Sequence, residues 1–145
     1  MRHIWDGMPT AQAVLTIETP GRGLIEITGR IERWVTGSGI DTGVLHVFCR
    51  HTSASLLINE NAAPAVQRDL LAWLDRAAPE GGDYEHDDEG PDDMPAHIKA
   101  LITGSALSIP VGGGRMMLGP WQGVFLAEHR RRPHLRNVVV TLIGE

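Results

Sequence analysis

Three histidines of this chain sit among hydroxyls and carboxylates. His51 opens His51-Thr52-Ser53-Ala54-Ser55, while His86 and His97 bracket the run Asp87-Asp88-Glu89-Gly90-Pro91-Asp92-Asp93-Met94-Pro95-Ala96. Imidazole titrates near neutral pH and binds borderline divalent ions through an unprotonated ring nitrogen, so this company suits proton transfer or metal ligation. Three imidazoles could hold zinc or manganese and leave one position for water or substrate, with neighbouring Asp or Glu side chains orienting the rings. Positions 51, 86 and 97 follow no compact ligand signature, and a polar loop with surface histidines is the competing reading.

Further candidates lie on either side. If 51–58 is a strand, its two-residue period puts His51, Ser53 and Ser55 on one polar face and makes Ser53 a catalytic candidate. Asn59 and Glu60 follow at the strand's end, where loops often carry binding groups. Glu60 could serve as a general base or a magnesium ligand, or simply stabilise the positive end of a helix capped by Asn61. In Trp121-Gln122-Gly123 a mid-strand glycine costs stability unless something approaches the backbone closely. A wall for a planar ligand and a core tryptophan beside a sheet-packing glycine explain those residues equally well. Cys49, at the end of Val44-Leu45-His46-Val47-Phe48-Cys49, reads as a buried, inert thiol.

The elements that must position these residues are mostly strands. Of the 145 residues, 42% are hydrophobic and 21% charged, an ordinary soluble composition, and no apolar run reaches the roughly 20 residues of a membrane span. One domain, 1–145, is expected. The start has no stretch of signal-peptide length and a single cysteine forms no intrachain disulfide, so a reducing cytoplasm is the expected setting. A net charge of −5 argues against a nucleic-acid surface; residues 80 to 93 carry eight acids and no Lys or Arg, whereas Arg130-Arg131-Arg132 and Arg136 form a basic cluster. Apolar runs broken by glycine predict strands near 11–18, 24–28, 43–50, 51–58, 105–110, 115–119, 121–129 and 137–143. Helices are expected at 29–35 with Thr28 as N-cap, at 64–77, and from Pro95 to Gly104. Val111-Gly112-Gly113-Gly114-Arg115 reads as a hairpin turn rather than a phosphate loop, since no helix and no Gly-Lys-Ser/Thr ending follow. The fold class is α+β and mainly antiparallel β: a sandwich with two or three helices on one side.

His-Thr-Ser-Ala-Ser at 51–55, Asn59-Glu60, Tyr84-Glu85-His86-Asp87, Asp92-Asp93-Met94-Pro95-Ala96-His97-Ile98-Lys99, Trp121-Gln122-Gly123, Glu128-His129-Arg130 and Gly144-Glu145 together resemble, in order, the YjbQ family, whose members are described as secondary thiamine-phosphate synthases. The resemblance implies a jelly-roll-like β-sandwich assembling as a homotrimer, with the histidine cluster in a cleft near the subunit interface. His51, His86 and His97 match the family's histidines, and Glu128 its acid after the Trp-Gln-Gly strand. Many members follow that acid with an aromatic, an acid and a glycine; here His129 and three arginines follow, which leaves the role of His129 open. The implied reaction joins a thiazole phosphate to a pyrimidine pyrophosphate, releasing pyrophosphate, as a weak or promiscuous activity.

On that reading a metal held by His51, His86 and His97 engages pyrophosphate or water, and Arg130 or Arg115 contacts phosphate. Trp121 with Gln122, Gly123 and Asn59 receives the substrate, and Glu60, Glu128 or Ser53 acts in catalysis. Magnesium would accompany the pyrophosphate, although three histidines suit zinc, manganese or nickel better. The rival expectations are a metal-dependent hydrolase of a small phosphate ester or amide, and a non-catalytic trimer that binds a metabolite.

Overall fold

The computed structural model describes residues 9–145. In chain order its elements are β1 (Thr10–Thr19), β2 (Gly23–Glu26), α1 (Thr28–Gly37), β3 (Gly43–Cys49), β4 (Ala54–Glu60), α2 (Pro64–Ala77), α3 (Asp93–Thr103), β5 (Ala106–Gly112), β6 (Arg115–Met116), β7 (Gln122–Glu128) and β8 (His134–Gly144). They build two antiparallel sheets, a five-stranded one in the order β1-β8-β3-β5-β6 and a three-stranded one in the order β2-β7-β4. This is the α+β, mainly antiparallel fold in one domain that the alternating strands predict. Gly113 and Gly114, at φ 61° and 72°, form the expected β5–β6 turn.

Alternation along each strand decides where the core lies. Leu45, Val47, Ile109, Val138, Val140 and Leu142 point from the large sheet onto Leu56, Val124 and Leu126 of the small one. Phe125 and Ala127, the intervening residues of β7, are also buried, as are Leu74 of α2 and Ala96 of α3. The small sheet is therefore covered on both faces, by the large sheet and by the layer carrying α2 and α3.

Helix α1 departs from the expected one-sided arrangement. Its Ile31 and Val35 are wholly buried in the core between the sheets, so it plugs that layer. Nor does Thr28 cap it: the N-cap is Ile27, and the Thr28 hydroxyl instead accepts the Val124 amide at 2.8 Å and donates to Glu26 at 2.8 Å. Asn61 likewise does not cap α2, whose N-cap is Ala63; Glu60 Oε2 accepts the Ala63 N–H at 3.1 Å.

Two corrections bear on the site. Strand β4 starts at Ala54, three residues later than expected, because the Arg136 guanidinium reaches the Ser53 carbonyl and hydroxyl while the His51 ring takes a backbone N–H of β8. Helix α3 starts at Asp93, two residues before Pro95, and ends where Gly104 turns away at φ 102°.

Candidate metal centre

Helical spacing explains the core of the site. Asp93 and His97 are four apart on α3 and so share a face. Asp93 Oδ2 lies 3.1 Å from His97 Nε2 and 2.8 Å from Nε2 of His86, which the acidic loop folds back onto the helix. The ligand atoms of these three residues all lie within 4.8 Å of one another. Asp93 sits in the first turn of α3, where the helix dipole favours a carboxylate.

The outer contacts fix which ring atoms face inward. His97 Nδ1–H donates to the Thr52 carbonyl at 2.9 Å, so a neutral His97 presents its Nε2 lone pair to the cluster. His86 Nδ1 lies 3.4 Å from an Asp88 carboxylate oxygen, whose charge favours the same orientation without a hydrogen bond. Lone pairs turned towards a carboxylate repel it unless a proton or a cation stands between them, and an oriented imidazole backed by a carbonyl or carboxylate is how proteins present histidine to a metal. Accordingly the Asp93 hydrogen bond, helped by Asp88 and Glu89, holds His86 above its ordinary pKa. Burial pushes Asp93 up, yet its hydrogen bond with His86 and the charges of His97 and Arg130 outweigh burial and keep it ionised. The donor set fits a borderline divalent ion.

Arg130 locks this arrangement. Its Nη1 donates to Asp93 Oδ1 at 2.7 Å, its Nε to Asp92 Oδ2 at 3.0 Å and its Nη2 to the Glu89 carbonyl at 3.0 Å. Expected to contact substrate phosphate, Arg130 is instead spent on holding the loop to α3. A cavity of about 410 Å³ flanks the centre, lined chiefly by His51, Thr52, Met94, His97, Ile98 and Leu101; another of about 290 Å³ is lined by Tyr84, His86, Asp87, Gly90 and Met94. Neither is lined by a lysine or arginine.

His51 faces the first cavity but does not join the ligand cluster. Its Nε2 accepts the Asn137 backbone N–H at 2.8 Å, and burial, reinforced by the nearby Arg136 charge, holds its pKa below the ordinary value. Glu128, expected as an acid–base group, is fully buried; Arg136 donates to it at 2.7 and 2.5 Å and Thr19 at 2.6 Å. Burial raises its pKa, but these bonds outweigh burial and leave it an ionised structural anchor. Ser53 accepts from Arg136 at 3.0 Å, so its hydroxyl serves that arginine. His129, whose role was open, is buried with Nε2 2.8 Å from Ser55 Oγ. The Ser55 hydroxyl in turn meets Thr103, which donates to the Lys99 carbonyl.

The remaining candidates stand elsewhere. Ala54 pairs with Glu128 and Glu60 with Gln122, so Asn59, Glu60, Trp121 and Gln122 occupy the opposite end of the small sheet, about 20 Å away along β7 at roughly 3.3 Å per residue. Glu60 is bonded to the start of α2 and Trp121 is 64% exposed. The close approach that Gly123 permits is internal: a Cβ there would lie 2.8 Å from Glu26 Oε2 and 2.9 Å from Asn61 Cβ. The sequence reading missed Asp93 as a ligand, and the available signal was its four-residue spacing from His97.

The family model described as UPF0047 protein YjbQ-like matches residues 13–145. A UPF0047 protein of Synechocystis is 50% identical over 92% of each chain, and the UPF0047 protein YjbQ of Escherichia coli O157:H7 is 42% identical over 92% of this chain and 98% of its own. Among solved structures, a conserved hypothetical protein from Thermus thermophilus is 38% identical with a TM-score of 0.80, covering 90% of this chain and 98% of that one. A YbjQ-like protein of unknown function from Sulfolobus solfataricus is 25% identical with a TM-score of 0.84, covering 94% and 99%. With its fold and nearly its whole length matched, the chain belongs to the YjbQ/UPF0047 family.

Proposed function

We propose that this protein is a divalent-metal-dependent enzyme acting on a small molecule, with His86, Asp93 and His97 as the metal-holding residues. The observation that carries this reading is the single Asp93 oxygen placed 2.8 and 3.1 Å from two imidazole nitrogens, the His97 ring being held from behind by the Thr52 carbonyl. A bound zinc or manganese ion would supply Lewis acidity and lower the pKa of water there. The chain's own part is to hold both rings in one tautomer, to keep Asp93 ionised through Arg130, and to offer an apolar wall of Met94, Ile98 and Leu101 to the substrate body.

The reaction to test first is the one the family resemblance implies, thiamine-phosphate-synthase-like joining of a thiazole phosphate and a pyrimidine pyrophosphate, with magnesium accompanying the pyrophosphate. A specific observation favours hydrolysis as a second reading: no lysine or arginine lines either cavity and Arg130 is already engaged, so the protein supplies little positive charge for a polyanion. The setting we propose is cytoplasmic, with small-molecule rather than nucleic-acid partners, and the assembly a homotrimer. No helix among the described residues is long and apolar enough to cross a membrane.

The experiment combines metal analysis with two assays on protein stripped by chelator and reloaded with zinc or manganese. One quantifies thiamine phosphate from the two precursors with magnesium present. The other screens small phosphate esters and amides. Metal-dependent product lost in His97→Ala identifies the reaction; stoichiometric metal with neither activity would leave the binding-trimer alternative, and metal content unchanged in His97→Ala would refute the centre.

A further inference from the structure

One carboxylate of the acidic loop acts on the centre through its charge on His86 and stands near enough to join it. Glu89 Oε2 lies 3.2 Å from His86 Nε2, the nitrogen that already faces Asp93 Oδ2 at 2.8 Å. A ring nitrogen carries at most one proton, so it cannot satisfy both carboxylates. With His97 Nδ1–H donated to Thr52 and His86 Nδ1 facing Asp88 at 3.4 Å, the neutral His86 ring turns one lone pair on both carboxylates, and His97 turns a second on Asp93. Positive charge relieves that crowding, and a divalent ion held by His86, Asp93 and His97 would draw in the Glu89 carboxylate that stands beside His86.

The position of Glu89 is set by the device that sets Asp93. Arg130 Nη2 donates to the Glu89 carbonyl at 3.0 Å while Nη1 of the same guanidinium holds Asp93 Oδ1 at 2.7 Å. The next residue, Gly90, turns at φ 101°, and its carbonyl accepts the Asp93 N–H at 3.4 Å. One arginine and one left-handed turn therefore deliver Glu89 and Asp93 to the same side of His86.

We infer that Glu89 is a fourth protein ligand, so that the centre is a set of two histidines and two carboxylates. This rests on the metal-centre reading above. Two carboxylates balance a divalent charge in a place where no other protein anion is needed, and a mixed nitrogen–oxygen set suits manganese or iron(II) as well as zinc.

The test uses the full chain, stripped and titrated with Mn²⁺ and with Zn²⁺ against a competing chelator, for wild type, Glu89→Gln, Glu85→Gln and His97→Ala. Glu85→Gln removes an acid of the same loop that forms no ion pair among the described residues, so it measures the general field alone. Glu89→Gln should weaken both ions at least tenfold and Glu85→Gln less than twofold, with the metal-free circular dichroism and thermal midpoint unchanged. Equal affinities in Glu89→Gln and Glu85→Gln, with His97→Ala still impaired, would overturn the assignment of Glu89 and leave the three-residue centre standing. No saturable uptake by wild type would overturn both.

Discussion

Asp93 divides its oxygens between opposite duties, one on the Arg130 guanidinium and one on two imidazoles. Removing the arginine strands Asp92 and Asp93, both largely buried, so Arg130→Ala should cost roughly 3 kcal/mol, near the lower edge for a broken buried pair. Metal affinity should fall about tenfold to a hundredfold alongside it, as for other groups that orient ligands. Arg130→Lys should rescue neither fully, since one ammonium cannot reproduce a fork that meets two carboxylates and a carbonyl. Urea unfolding and chelator competition read the two effects separately. His129 gives a pH prediction. Burial, with the Lys99 charge adding to it, depresses its pKa from 6.5 to about 4. The folded state thus binds this proton less readily than the unfolded chain, and the stabilisation is complete above pH 6.5 and lost as pH falls towards 4. The loss amounts to roughly 3 kcal/mol at about 1.36 kcal/mol per unit. Urea midpoints should fall through that window in wild type and much less in His129→Gln. The depressed carboxylates Asp92, Asp93 and Glu128 lose their contributions only lower, beneath 3.8 to 4.5. Equal slopes for the two proteins between pH 6.5 and 4 would remove His129 as the cause.

At the scale of elements, the strands of the large sheet were legible because β1, β3, β5 and β8 bury alternate residues, and α2 because Val66, Leu70, Leu71 and Leu74 repeat at helical spacing. The start of α3 was not. Pro95 is a good first-turn residue, but so are the acids before it, and nothing local distinguishes a helix beginning at Asp93 from one beginning at Pro95. That two-residue difference conceals the pairing of Asp93 with His97. The fates of Arg130, Ser53 and Glu128 were hidden for another reason: their partners lie 8 to 83 residues away, at Arg136, Asp92 and Asp93. Residue type alone cannot separate a catalytic acid from one half of a buried ion pair. Strand β7 supplies a test of the separation it imposes. Gly123→Ala must push Glu26 and Asn61 apart, and overpacking of this kind costs about 1–3 kcal/mol. Because the centre lies at the other end of the strand, metal affinity should stay within twofold of wild type; a larger change would mean the two ends are coupled.

At the scale of the whole molecule, the outer face of the large sheet presents a patch without charge. Register lines up three rows across β1, β8, β3 and β5: Thr10-Ile143-Val44-Pro110, Gln12-Thr141-His46-Ser108 and Val14-Val139-Phe48-Ala106. None of these positions holds Lys, Arg, Asp or Glu, although 21% of the chain is charged, and Val14, Val44, Phe48 and Ile143 are between 41% and 54% exposed. A one-sided antiparallel sheet ordinarily alternates apolar in with polar or charged out, whereas charge is depleted at the centres of subunit interfaces. This face is the natural seat of the proposed homotrimer. Phe48→Asp places a charge in its lowest row without touching the core, since Phe48 points outward between the buried Val47 and Cys49. Light scattering on eluting protein should give about three times the 15.8 kDa chain mass for wild type and a single chain for Phe48→Asp, with circular dichroism unchanged. The metal-holding residues come from α3 and the acidic loop rather than from the large sheet, so zinc affinity should survive in the single chain. A variant that remains trimeric would move the interface to another face, and a monomeric wild type would remove the trimer itself.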